Sequence, residues 1–90
     1  MILNLKKLAC KHFGITESQY DSSSRKIEIV YARIAIAQVL FQKGYSIYEI
    51  ASIVNKDRTT IFHYLRTFND RLKYDFVFSN AYNEFIKEVS

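Results

Sequence analysis

From position 56 to position 66 the chain gathers Lys56, Asp57, Arg58, Thr59, Thr60, His63 and Arg66. Cations and hydroxyls in such a run suit hydrogen bonding and charge neutralisation better than proton transfer. A guanidinium pairs best with guanine O6/N7 in bidentate geometry, and lysines and hydroxyls suit phosphate oxygens. Covalent and redox chemistry find little here. His12 and His63 are the only imidazoles, and neither has a helical Glu or Cys partner at ligand or triad spacing. Ser22, Ser23 and Ser24 have no nearby His in sequence to activate them, and read as a solvated loop or as phosphate contacts. The lone Cys10 cannot form an internal disulfide, and with no CxxC or Cys/His ligand spacing around it a zinc site is not expected; it reads as a small core residue rather than a reactive thiol. With Gly14 and Gly44 as the only glycines, neither a GxxxxGK[ST] phosphate loop nor a dinucleotide fingerprint is possible. The expectation is a non-enzymatic chain with no cofactor, no metal and no bound nucleotide.

The basic run must be held by helices. Ile47, Ile50, Ala51 and Val54 recur at i, i+3, i+4, i+7, one apolar face of a short helix that Ser46 is placed to cap. A second helix starts at Asp57, also a capping type, and turns Ile61, Leu65, Phe68 and Leu72 inward. Its other face carries Arg58, Thr59, His63, Arg66 and Thr67, with Thr60 at the boundary. Two short helices joined by a tight turn, the second opening on polar side chains, form a helix-turn-helix, whose second helix meets base edges in the major groove. Ala51 suits such a unit because a small side chain lets the helices approach closely. Asn55 tolerates the left-handed backbone that the turn requires.

Ninety residues support one small core. With 49% hydrophobic residues, 16% aromatics and no Pro, the chain is a folded helical one rather than a disordered one. The remaining periodicity predicts a first helix from Ile2 to His12, with Leu5, Leu8 and Phe13 inward and Gly14 as its stop. A helical turn over Thr16–Tyr20 follows, with Thr16 as its cap. The loop of Asp21 to Ser24 then offers a cap for a long central helix from Arg25 to Lys43, apolar around most of its circumference and ended by Gly44. A last helix carries Phe76, Val77, Ala81, Phe85, Ile86 and Val89 inward, capped by Asp75 or Ser79. Its aromatics, Phe76, Phe78, Tyr82 and Phe85, either pack on the domain or form a surface for a second copy or a protein partner. The sequence thus divides into residues 1–73 and a C-terminal helix over 74–90.

Charge follows the same division. Residues 1–73 hold 12 Lys/Arg against 6 Asp/Glu and residues 74–90 hold 1 against 3, so a net of +6 and a net of −2 give the overall +4. A basic body with pI near 9.3 favours a polyanionic partner. No run approaches the roughly 18 apolar residues of a membrane span, and no secretory signal opens the chain, so no membrane partner and a cytoplasmic location are expected.

The segment Lys56-Asp57-Arg58-Thr59-Thr60-Ile61-Phe62-His63 resembles the Arg-Asp-His-Thr-Thr-Val-x-His signature of the DNA-binding domain that ends the bacterial replication initiator DnaA. Phe13-Gly14-Ile15, Arg25 to Ile29 and Ala32-Arg33-Ile34-Ala35 are similar to that domain's Phe-Gly-Val, Arg-x-x-x-Ile and x-Arg-Gln-Ala segments, in the same order. The resemblance covers residues 5 to 72. It implies an all-α bundle of five or six helices containing a DnaA/Trp-repressor-like helix-turn-helix, standing alone without the initiator's ATPase module. It also implies sequence-specific binding of double-stranded DNA, in replication initiation control or transcription regulation. The rival is a helical protein-interaction module that keeps the fold and has lost DNA binding.

Carried over residue by residue, Arg58 and Thr59 would read base edges, and Asp57 would accept a cytosine N4 hydrogen or merely cap the helix. Arg33 would enter the minor groove, unless it snorkels or pairs with Glu28 or Glu49. Arg25, Lys26, Ser46, Lys56, Thr60, His63 and Arg66 would meet phosphates, with His63 alternatively fixing the helix. Two departures stand out. The family's His after Asp is Arg58 here, and its Gly-Gly before the Arg is the single Asn55, which makes the turn one residue shorter.

Overall fold

The computed structural model describes residues 2–22 and 26–89. Six helices occupy these residues: α1 (Ile2–Phe13), α2 (Glu17–Asp21), α3 (Ile27–Gln42), α4 (Ile47–Val54), α5 (Arg58–Tyr74) and α6 (Phe76–Val89), with no strand among them. The all-α reading holds. No helix among the described residues is long and apolar enough to cross a membrane.

Local chemistry sets most of the boundaries. Gly14 ends α1 with φ +71, a left-handed conformation that costs glycine nothing. Thr16 closes a capping box on α2: its hydroxyl accepts from the Gln19 N–H at 3.0 Å, and the Gln19 side chain accepts from the Thr16 N–H at 2.8 Å. The cap expected for α3 differs. Ser22 ends α2, its hydroxyl donating to the Gln19 carbonyl at 2.6 Å, and α3 begins after Lys26 with no side-chain cap. Ser23, Ser24 and Arg25 lie outside the described residues.

α3 is the central helix. It packs against α1, α2, α4 and α5, and Ile29, Ile34, Val39 and Leu40 are nearly or wholly removed from water. Ala32, Ala35 and Ala37 are also fully buried and leave room for neighbouring helices to approach closely. Cys10 is buried on α1, and burial pushes its thiol pKa upward, as suits an inert core residue.

The last helix keeps part of its expected inner face, with Phe85 buried and Ala81, Ile86 and Val89 packed against the core, but its first turn departs from it. Phe78, Tyr82 and Phe85 are buried against α1 and α5, whereas Phe76 and Val77 are 77% and 69% exposed. Two apolar stripes overlap on this helix, and the one matching the aromatic cluster of Phe13, Tyr31 and Phe68 goes inward. Three of the four aromatics weighed for association are therefore core. Only Phe76 remains outside, beside exposed Tyr74 and Val77. On α5 the buried residues are Ile61, Tyr64 and Phe68, while Leu65 and Leu72 are half-buried, so Tyr64 takes a place expected for Leu65.

Asp75 ties α6 to the centre. Its Oδ1 accepts from the Phe78 N–H at 3.1 Å, making it the cap of the two candidates, and its Oδ2 accepts from the Tyr31 hydroxyl on α3. The Tyr31 hydrogen bond, and then the Phe78 N–H, hold the Asp75 carboxyl below its ordinary pKa. A depressed folded pKa contributes stability that is present above the unfolded value of about 3.9 and is lost as pH falls through the folded value. Asp75→Asn keeps an acceptor but does not titrate. Melting temperature measured between about pH 5 and about pH 2 should fall less steeply in the variant than in the native chain. Equal slopes would show that the Tyr31–Asp75 link contributes nothing.

Candidate nucleic-acid interface

α4 and α5 form the helix-turn-helix, and each start is pinned by its own side chain. Ser46 Oγ accepts from the Glu49 N–H at 3.2 Å, and Glu49 Oε1 accepts from the Ser46 N–H at 2.9 Å, a closed capping box. Asp57 Oδ1 accepts from the Thr60 N–H at 2.7 Å. Hydrogen bonding from Thr60 holds the Asp57 carboxyl below its usual range, and bonding to Ser46 does the same for Glu49. Of the two roles weighed for Asp57, the geometry shows the cap.

Between the helices, Asn55 takes φ 61 and ψ 48, the left-handed conformation expected of it. The Lys56 N–H then donates to the Ala51 carbonyl at 3.0 Å, closing the end of α4. Ala51, Ile50 and Val54 are buried, as are Ile61 and Tyr64 of α5. The apolar sides of both helices are thereby taken up by the core, and the opposite side of α5 faces water.

On that outer side Lys56, Asp57, Arg58, Thr59, His63 and Arg66 are exposed and Thr60 is half-buried. Thr59, Thr60, His63 and Arg66 line one open concavity of about 480 Å³ together with Phe62. Arg58 and Thr59 line a second, of about 330 Å³, with Ile47, Tyr48 and Phe62. The Thr67 hydroxyl donates back to the His63 carbonyl at 2.7 Å, which keeps it on its own helix. Ser46 is exposed at the α4 start, and Lys26 is exposed at the start of α3. Arg25, named with them as a phosphate contact, lies outside the described residues.

Arg33 is held differently from these exposed residues. It is only 7% exposed, its Nη2 donates to the Tyr20 carbonyl at 2.7 Å and the Ser22 carbonyl at 3.3 Å, and its guanidinium lies 5.2 Å from the Tyr20 ring centroid. Nearly buried and bound to the end of α2, the guanidinium also borders a concavity of about 470 Å³ that reaches Val54 and Asn55 at the α4–α5 turn. Neither Glu28 nor Glu49 is its partner. Its Nε has no hydrogen-bond partner among the described residues. Burial pushes the Tyr20 hydroxyl up to about 12, against the opposing pull of the Arg33 charge. What sequence reasoning missed is aromatic: Tyr48 and Phe62 are 67% and 61% exposed on this surface. The signal was present, since both fall off the apolar stripe of their own helix.

The profile of the family described as the bacterial DnaA protein helix-turn-helix matches residues 2–67. Among curated proteins the chain is similar to the chromosomal replication initiator protein DnaA of Bacteroides thetaiotaomicron, 34% identical over 74 residues. That alignment covers 80% of this chain and 16% of the relative, so the chain spans less than a fifth of the relative's length.

Proposed function

The chain belongs to the bacterial DnaA helix-turn-helix family, and from that premise we propose that it binds double-stranded DNA sequence-specifically through the start of α5. One observation carries the reading. The capped α5 start sets Arg58 and Thr59 outward beside Lys56, Thr60, His63 and Arg66, on a helix whose opposite side is buried. Arg58 and Thr59 address base edges in the major groove. Lys56, Thr60, His63 and Arg66 meet phosphate oxygens on either side, with Ser46 at the α4 start, and Lys26 adds positive charge at the start of α3. Phosphate contacts supply much of the affinity and its salt dependence, while base contacts supply the discrimination.

The relative's name, chromosomal replication initiator, suggests the setting: control of replication initiation, or regulation of transcription at related sites. Selection of bound duplexes from a random pool at about 150 mM salt tests the reading, because that salt suppresses purely phosphate-driven binding. A defined motif is expected. Binding that enriches no motif and vanishes as salt rises would instead favour a protein-interaction module that retains the fold.

A further inference from the structure

Two exposed rings share the surface that carries Arg58. Tyr48 lies in the first turn of α4, and Phe62 lies one turn beyond Arg58 on α5. Most aromatics of this chain that pack on one another do so in the core, yet these two stand in water and belong to no apolar stripe. The Arg58 guanidinium carbon lies 4.6 Å from the Tyr48 ring centroid, within the roughly 6 Å over which a ring face attracts a cation.

The carboxylates nearby in sequence do not compete for Arg58. Asp57 is engaged by the Thr60 N–H and Glu49 by the Ser46 N–H, and no ion pair to Arg58 occurs among the described residues. The same two caps fix the backbones that carry Tyr48 and Arg58. Stacking uses the face of the guanidinium and leaves its N–H edge free, whereas a carboxylate partner would occupy the donors that a base needs.

We infer that Tyr48 is a positioning residue for Arg58, holding its guanidinium over the notch between the α4 and α5 starts so that the N–H edge meets a guanine from one prearranged direction. This rests on the reading of Arg58 as a base contact. Preorganisation of this kind reduces the ordering required on binding and so adds to discrimination at one base pair, not to the general attraction for phosphate.

Five proteins test it: the native chain, Tyr48→Phe, Tyr48→Leu, Arg58→Ala and the Tyr48→Leu/Arg58→Ala double variant that closes the cycle. In the DNA-free protein, NMR should show the Arg58 Hδ protons shifted upfield by the ring current in the native chain and in Tyr48→Phe, and not in Tyr48→Leu. On DNA, the affinity ratio between the selected duplex and one altered at the Arg58-dependent base pair should fall about two- to five-fold in Tyr48→Leu. It should hold in Tyr48→Phe. Affinity for random duplex should stay constant, and Tyr48→Leu should lower the ratio no further once Arg58 is Ala.

An absent ring-current shift overturns the proposal. So does an equal loss on selected and random duplexes, or no loss on either. A motif that depends on Arg58 but is indifferent to Tyr48→Leu sinks the positioning role alone. Failure to select any motif, or one indifferent to Arg58→Ala, sinks the base-reading role and this one with it.

Discussion

Phe78→Ala is expected to cost about 3–5 kcal/mol, the range for removing a fully buried aromatic side chain. Against a typical domain stability of about 5–15 kcal/mol, that is enough to bring the chain near its unfolding threshold. The ring is 0% exposed, and it meets Phe13 of α1 at 5.8 Å, Tyr31 of α3 at 5.2 Å, Phe68 of α5 at 5.9 Å and Tyr82 of its own helix at 5.7 Å between centroids. Truncation would leave a cavity bordered by three other helices, and rigid helices close such cavities poorly. The result would also bear on how the chain is divided, because the family match ends at residue 67, within α5, while Phe78 lies beyond it. Phe76→Ala, two residues earlier and 77% exposed, should change stability by no more than about 0.5 kcal/mol. Denaturant midpoints of both variants decide the matter. Similar losses for the two would mean that the inner face of α6 is not the one described.

What could be read from the sequence was chiefly what short-range chemistry decides. Thr16, Ser46 and Asp57 each satisfy an N–H three residues on, Gly14 and Asn55 each supply a left-handed step, and none needs a distant partner. α3, apolar around most of its circumference, was likewise bound to be central. Apart from the missing α3 cap, what the sequence did not reveal involves partners on other elements. Whether Phe76 or Phe78 turns inward depends on where Phe13, Tyr31 and Phe68 arrive, and periodicity within α6 does not contain that information. The Tyr20 and Ser22 carbonyls that hold Arg33 are backbone groups that no side-chain pattern reveals. The Tyr48–Arg58 contact joins two helices across a turn, and its geometry follows from Asn55 and the two caps together.

Arg58→Ala should relax preference at one base-pair position, with a loss of about 1–3 kcal/mol of discrimination there, or roughly 5- to 150-fold in relative affinity. The resemblance places a histidine here, and an arginine in its place would be expected to prefer a different base. An imidazole suits contact with a thymine methyl, whereas a guanidinium offers two parallel donors matched to guanine O6 and N7. The exposed position of Arg58 at the first turn of α5 allows those donors to reach outward, since its neighbour Asp57 already satisfies the helix. Lys56→Ala should act differently. A lysine on phosphate carries no sequence information, so its removal should weaken selected and random duplexes alike and reduce the slope of log affinity against log salt by about one. Competition titrations at two salt concentrations separate the two patterns. A guanine at the position that loses preference in Arg58→Ala would identify the arginine's partner, and identical losses for both variants on every duplex would show that neither side chain reads sequence.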